Sequence, residues 1–331
     1  MRATNGRRSG MDVIESLQGF VGENLSLLAP VDQAWQPTDF LPDLRSKDWV
    51  EQLAAFRQSA ERLSDELLVV LVGNMVTEEA LPNYTLPLSR IARDDTGTAD
   101  EPWAKWLRGW TAEENRHGDL LNAYLRLTGR VNMRAVERTI HHLLKNGFNP
   151  RSKDDGYSGL IYAAFQERAT RITHMNVGKL AAAQGDEKLS KICRRIAGDE
   201  ARHETFYTRV VGEIMERDPE GGTLAYRAVL KGLIAMPGRL MGDGKDPDLY
   251  DHFATVTQRV GAYTVRDYAQ IIEHLNQSWG VTHRSLTGQA ARAQDYLCRQ
   301  PERYEHAADG IAERINQAPP TPYTWIDGRT T

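Results

Sequence analysis

The chain has 331 residues, of which 40% are hydrophobic, with 41 Lys and Arg against 45 Asp and Glu, a formal charge of −4 and two cysteines. A mildly acidic balance argues against a nucleic-acid binder, and no apolar run approaches the ~20 residues needed to cross a bilayer. Cys193 and Cys298 stand far apart, which excludes a four-thiolate iron–sulfur cluster within one chain and gives no disulfide framework.

In chain order, about the first eleven residues, with Arg2, Arg7 and Arg8, read as a disordered start; they are too short for a transit peptide, and the default compartment is the cytoplasm. From Asp12 an apolar stripe of Val13, Ile14, Leu17, Phe20, Val21, Leu25 and Leu28 predicts a helix, with Glu15 placed for a capping box and Pro30 as its end. The Pro-rich stretch 35–44 predicts an extended connection on the surface. A long helical region over 48–80 follows. Its stretch 67–72 is apolar on every side, so the helix is central and an acid near its end, Glu78 or Glu79, is buried. Two long helices come next, described below. Pro219, Gly221 and Gly222 then predict a turn, and 237–247 a Gly-rich link; Thr264 with Asp267 opens a helix running through Trp279. The tail 319–322 is a surface segment, and Tyr323, Trp325 and Ile326 pack back on the body. No strand pattern and no Gly-rich phosphate loop occurs. The chain therefore reads as one all-α domain over 1–331 without a flavin or nicotinamide site, so electrons come from outside.

The two long helices carry the chemistry. Glu113-Glu114-Asn115-Arg116-His117 and Asp199-Glu200-Ala201-Arg202-His203 repeat the pattern acid-Glu-x-Arg-His. Residues three apart share a helix face, so Glu114 with His117, and Glu200 with His203, can each grip a metal ion from one side. A single Glu-x-x-His is close to chance; the stripes around these two decide the matter. Leu189, Ile192, Cys193 and Ile196 lead to Glu200 and His203, and Tyr207, Val210, Val211 and Ile214 follow. Trp103, Trp106, Leu107 and Trp110 lead to Glu114 and His117, and Leu121 and Tyr124 follow. Both pairs interrupt a core-facing stripe in register. Each helix is preceded by another with one inward acid, Glu78 or Glu79 in the first case and Glu167 in the second. Four facing carboxylates would be driven to protonate unless cations sat among them. Four carboxylates and two imidazoles form the ligand set of a ferritin-like di-iron or di-manganese four-helix bundle, here with additional packed helices. One imidazole and several carboxylate oxygens per ion favour iron or manganese over structural zinc. Arg116 and Arg202 point away from the Glu two positions before them. His141, His142, His174, His252, His274, His283 and His306 lack a Glu three positions earlier and read as structural or surface residues.

The runs Trp-Gln-Pro-Thr-Asp-Phe-Leu-Pro (35–42), Val-Thr-Glu-Glu-Ala-Leu-Pro (76–82), Trp-Thr-Ala-Glu-Glu-Asn-Arg-His-Gly-Asp-Leu-Leu (110–121), Phe-Gln-Glu-Arg-Ala-Thr (165–170), Asp-Glu-Ala-Arg-His-Glu-Thr (199–205) and Ala-Gln-Asp-Tyr-Leu-Cys-Arg (293–299) closely resemble the soluble acyl-acyl-carrier-protein desaturases. The resemblance spans about residues 30–325. It implies that Glu78, Glu114, His117, Glu167, Glu200 and His203 are the six iron ligands, which decides for Glu78 over Glu79. It implies that Trp35 and Asp199 belong to a hydrogen-bonded chain conducting electrons through His117, and that Thr170 stands beside the oxygen site; on sequence alone a hydroxyl bonded to its own helix backbone is an equal reading of Thr170. Two Fe ions per chain, O₂ as co-substrate, a fatty acyl chain on acyl carrier protein, ferredoxin as electron donor and a homodimer are implied likewise. Lys191, Arg194 and Arg195, or Lys145, Arg151 and Lys153, are candidate docking clusters for the carrier. The region 83–109, with Pro87 and Arg90, departs most from the plant enzymes, which leaves chain length and double-bond position open. Rival readings are hydroxylation of a carrier-bound chain, a ferroxidase, and a radical-generating subunit for which Tyr124 or Tyr207 would be the radical site.

Overall fold

The computed structural model describes residues 10–150, 155–232 and 234–331, and helices dominate it. In chain order they are α1 (Gly10–Glu15), α2 (Gln18–Asn24), α3 (Trp49–Ala60), α4 (Asp65–Glu78), α5 (Leu81–Ala92), α6 (Pro102–Thr128), α7 (Met133–Asn146), α8 (Gly156–Ala183), α9 (Glu187–Arg217), α10 (Pro219–Lys231), α11 (Leu249–Arg259), α12 (Val265–Ser278) and α13 (Gly288–Asn316). Extended pairing among the described residues is limited to the bridge Pro322 to Thr330. Arg2, Arg7 and Arg8 of the expected N-terminal start, and Arg151 and Lys153 of one docking cluster, lie outside the described residues.

Four helices make the central bundle. α8 and α9 pair over nearly their whole length, α4 packs on α6, and α6 and α4 close the ring against α9 and α8. The α8–α9 hairpin is tight because Asp186 caps α9, accepting from Leu189 N at 2.9 Å, and Gly185 supplies a φ of 90°. α6 opens with Pro102 at its first position and ends at Gly129, whose φ of 66° sets the left-handed stop. The other helices cover this ring: α5 lies on α6 and α8, α11 on α4, and α12 and α10 on α8, with α13 outside them.

Along α6, α8 and α9 the buried apolar side chains fall into two separate clusters. One is built from Trp103, Trp106, Trp110, Phe165, Phe206 and Tyr207. The other is built from Leu120, Leu121, Tyr124, Val177, Ile192 and Ile196 with the α4 residues 67–72. A polar band lies between them on each helix. The two cores fix the register of the bundle from both sides and bury the band between them.

Several boundaries differ from the sequence reading. The expected helix from Asp12 starts at Gly10 and breaks at Leu17, so Asp12 sits in the first turn, and Glu15 pairs with Arg93 at 3.0 Å instead of closing a capping box. The expected helix over 48–80 breaks at 61–64, because Ser64 caps a new helix by accepting from Leu67 N, while Arg130 donates to the carbonyls of Ala60 and Leu63. Pro219, Gly221 and Gly222 form the first turn of α10 and no free turn, since Asp218 caps it through Gly221 N at 2.9 Å and proline is tolerated at that position. Thr264 and Asp267 do form a capping box, and Tyr323, Trp325 and Ile326 are buried. Trp35, expected in a surface connection, is inserted into the body and 5% exposed.

Gly73 marks the closest approach of α11 to the bundle: a Cβ there would stand 2.0 Å from the Phe253 ring. Gly73→Ala should destabilise the protein by about 1–3 kcal/mol in urea unfolding. In a Phe253→Ala background, which removes the ring, the added cost should vanish.

Candidate metal centre

Each element delivers one part of the band. Glu78 is the last residue of α4, after a segment whose side chains are almost all buried. Glu114 and His117 share one face of α6, Glu167 comes from the middle of α8, and Glu200 with His203 from α9. All six are buried, none more than 5% exposed. The structure therefore brings together every one of the expected ligand residues.

Their atoms form two overlapping groups. Ligand atoms of Glu78, Glu114, His117 and Glu200 lie within 4.8 Å of one another, and so do those of Glu114, Glu167, Glu200 and His203. Glu114 and Glu200 belong to both. Two cations held there would share Glu114 and Glu200, and each would have one further carboxylate and one imidazole within reach. His117 Nδ1 stands 3.3 Å from Glu200 Oε1 and 3.8 Å from Glu114 Oε2. His203 Nδ1 stands 2.8 Å from Glu114 Oε1 and 3.4 Å from Glu167 Oε2.

The fit to metal rests on the atoms left over. His117 Nδ1, His203 Nδ1, Glu114 Oε1 and Glu200 Oε1 are buried and have no well-aligned hydrogen-bond partner. Four such atoms facing one space would be costly as they stand, and a cation in each group satisfies them. Protonation tells the same story without metal. Burial, then the charges of Glu114 and Glu167, push Glu200 well above the ordinary carboxylate range, and burial with Glu114 raises Glu167. Burial opposes charge on both imidazoles, yet the carboxylates around them raise His117 and His203 well above the usual histidine value. The cluster demands positive charge, and protons are its poor substitute.

Behind each imidazole stands a carboxylate. His117 Nε2 is 3.4 Å from Asp199 Oδ2, and His203 Nε2 is 2.9 Å from Glu113 Oε2. Such a contact fixes the ring so that Nδ1 faces the shared carboxylates, where a metal would be held. Burial disfavours both carboxylates as anions, but His117 and Arg202 outweigh it at Asp199, and His203 and Arg202 at Glu113, so both are held below the ordinary range. Arg202 joins the two, 2.6 Å from Asp199 Oδ1 and 2.9 Å from Glu113 Oε2. The arginines of the repeated motif thus do pair with acids of the motif, though with the acid before each ligand Glu and not with the ligand. Trp35 Nε1 donates to Asp199 Oδ2 at 2.9 Å, its ring lies parallel to His117 at 6.1 Å, and Arg116 sits over it at 4.6 Å.

Four neighbours were missed by the sequence reading. Glu113 was visible as the counterpart of Asp199 in the repeat. His174, read as structural or surface, is buried with Nε2 2.9 Å from Glu78 Oε1; its position seven after Glu167, two turns along the same face, was the only signal. Trp110 Nε1 donates to Glu167 Oε1 at 3.1 Å, and the Tyr84 hydroxyl is 3.4 Å from Glu114 Oε2. Of the two tyrosines considered as radical sites, Tyr124 donates to Asp186 at the hairpin end of the bundle, and Tyr207 packs on Trp106 and Trp110. The Thr170 hydroxyl donates within its own helix, to the carbonyls of Gln166 and Glu167, both at 3.1 Å.

Two apolar cavities open beside the ligands. The smaller, about 60 Å³, is lined by Pro87, Leu88, Trp110, Phe148, Tyr162 and Ala163. The larger, about 330 Å³, is lined by Phe165, Ile234, Tyr250, Phe253, Tyr268 and Tyr304. Thr77, Glu78 and Thr170 wall both, so the cavities meet at the ligand cluster.

Comparison with known proteins gives a consistent result. A family model described as fatty acid desaturase matches residues 9–327. The chloroplastic stearoyl-[acyl-carrier-protein] 9-desaturase of Spinacia oleracea is 46% identical over 323 residues, covering 96% of this chain and 81% of the relative. The chloroplastic acyl-[acyl-carrier-protein] desaturase of Cucumis sativus is 47% identical over 323 residues, covering 96% and 82%. The X-ray structure of DesA2 from Mycobacterium tuberculosis H37Rv shares the fold with a TM-score of 0.53 at 20% identity, over 82% of this chain and 96% of that one.

Two occupancy patterns follow from the overlap of the groups. Anaerobic loading with ferrous ion should give two ions per wild-type chain by elemental analysis, none in Glu114→Ala or Glu200→Ala, and one in Glu78→Ala or Glu167→Ala. Glu113→Gln, which removes the charge behind His203, should weaken metal affinity ~10–100-fold with the fold intact.

Proposed function

The chain belongs to the fatty acid desaturase family, within its acyl-acyl-carrier-protein branch, and from that premise we propose that it is an oxidoreductase introducing a double bond into a saturated acyl chain carried on acyl carrier protein, at a pair of iron ions and with electrons from ferredoxin. The observation that carries the reading is the junction of two apolar cavities at the buried carboxylate–imidazole cluster. A saturated chain offers no polar handle, so an enzyme can select one carbon–carbon bond only by the shape of the channel holding it. Threaded through both cavities, the chain would pass Thr77 and Thr170 with one bond facing the ligand cluster.

Iron bound by Glu78, Glu114, His117, Glu167, Glu200 and His203 would supply the activation of O₂ that removal of unactivated C–H hydrogens requires. The electron count closes: the acyl chain gives two electrons and two protons, ferredoxin gives two electrons, two further protons enter, and O₂ becomes two waters. The protein's own part is placement. Asp199 and Glu113 hold the imidazoles, Trp35 links Asp199 to the outer part of the fold as the proposed electron path, and Thr170 lies on the channel wall beside the proposed oxygen site. The two cores keep bulk water from the reacting carbons.

No helix among the described residues is long and apolar enough to cross a membrane. A homodimer and a cytoplasmic compartment are proposed as well, to be checked by sedimentation and by cell fractionation; the relatives named above are chloroplastic.

Product mass tests the function. The iron-loaded protein with reduced ferredoxin, O₂ and carrier-bound saturated chains of graded length should yield a product two hydrogens lighter from the preferred chain. A product one oxygen heavier would make the protein a hydroxylase, and no product from any chain, with iron present, would overturn the reading. Asp199→Asn should lower ferredoxin-dependent turnover ~10–100-fold.

A further inference from the structure

His174 stands against the ligand cluster but belongs to neither of its two four-residue groups. It comes from α8, two turns beyond Glu167, is 2% exposed, and places Nε2 2.9 Å from Glu78 Oε1. An ionised carboxylate accepts and cannot donate, so in that contact the hydrogen is on Nε2. Nδ1 of the same ring is buried without a hydrogen-bond partner. A ring whose part was to fill space would be better apolar, because a buried polar atom without a partner costs stability.

Glu78 needs an outside hold more than the other acids do. It is the last residue of α4, whereas Glu114, Glu167 and Glu200 stand in mid-helix with full turns on both sides. Helix ends fray, so the backbone there does little to aim a side chain. The two carboxylate oxygens face different ways: Oε1 meets His174, and Oε2 lies 3.9 Å from His117 Nδ1, on the side of the other ligands. Among the described residues His174 is the one hydrogen-bond partner of this carboxylate.

The other half of the cluster is built the same way from a different residue. Trp110 of α6 donates to Glu167 Oε1 of α8, as His174 of α8 donates to Glu78 Oε1 of α4. Each unshared acid therefore has one oxygen held by a ring N–H from a neighbouring helix. Glu114 and Glu200, common to both groups, receive no such ring N–H. The two halves match in plan and differ in the donor, an imidazole in one and an indole in the other.

We propose that His174 is a positioning residue for the Glu78 half of the centre: its Nε2–H holds Glu78 Oε1 so that Oε2 stays turned toward His117, and metal affinity in that half depends on it. Affinity in the Glu167 half depends on Trp110 instead. The proposal rests on reading the six side chains as a metal centre, and it assigns the two halves separate supports that can be removed one at a time.

The test titrates the full chain with ferrous ion under anaerobic conditions, counts iron per chain by elemental analysis, and places it by anomalous maps at the iron edge. His174→Phe keeps a ring and removes the donor; it should weaken the Glu78 half ~10–100-fold. An ion concentration that fills both positions in the wild type should then leave one peak, among Glu114, Glu167, Glu200 and His203. His174→Gln, which can still donate to Glu78, should restore the second peak. His174→Asn, too short to reach Glu78, should lose it as Phe does, and this pair keeps the comparison available if the Phe variant does not fold. Trp110→Phe should leave the opposite peak. A space-filling role for His174 predicts the reverse order, with Phe near wild type and Gln no better. That order, or equal loss from both halves in the His174 variants, would overturn the positioning role while the wild type still binds two ions. A wild type that binds no iron would overturn the metal centre itself.

Discussion

Four carboxylates confined to one dry space repel one another, and the architecture depends on how that repulsion is met. Two unit charges ~4 Å apart interact by about 4 kcal/mol at the effective dielectric of a protein. Glu114 and Glu200 each face the other three acids, so the cluster as anions alone would oppose folding by more than such a chain has in reserve. Two divalent cations would neutralise it with both imidazoles uncharged. The bundle holds those charges in place: every candidate ligand sits on a helix, and none on a loop.

The two apolar clusters do the holding. On α6, α8 and α9 one core lies on each side of the polar band, so a shift of any helix along its axis would expose apolar surface at one end and strand acids in the other core. Beside the band runs a chain of hydrogen bonds from Trp35 through Asp199, Arg202 and Glu113 to His203, which ties the two halves of the repeated motif together. Arg202 pairs with both acids at once, Arg116 adds a second cation at Asp199, and the acids in turn orient the imidazoles. Glu204 adds a separate clamp between α9, α8 and α12; burial opposes its charge, but His274, Arg171 and Arg168 outweigh that and hold its pKa at about 2.

Four of the six candidate ligands, Glu114, His117, Glu200 and His203, were legible because metal binding would impose a spacing that nothing else in the chain repeats. Glu-x-x-His inside an apolar stripe, occurring twice, has few explanations, and the all-α reading needed only periodicity and the absence of strand patterns. The choice of Glu78 over Glu79 was not legible from spacing, since adjacent residues near a helix end differ only in which way the last turn points. The break at 61–64 was lost for a similar reason: Ser64 is an ordinary residue until its side chain is seen to accept from Leu67 N. His174 and Tyr84 reach the cluster only through tertiary packing, His174 from two turns further along α8 than Glu167 and Tyr84 from a helix that carries no ligand. The cavities were not legible at all, because a cavity is a property of what several helices leave unfilled.

A crystal grown anaerobically with ferrous ion, with anomalous data collected on both sides of the iron edge, tests the central claim most directly. Two iron peaks are expected, one among Glu78, Glu114, His117 and Glu200 and the other among Glu114, Glu167, Glu200 and His203. A single peak, or iron bound elsewhere while the six side chains pair among themselves, would contradict the account.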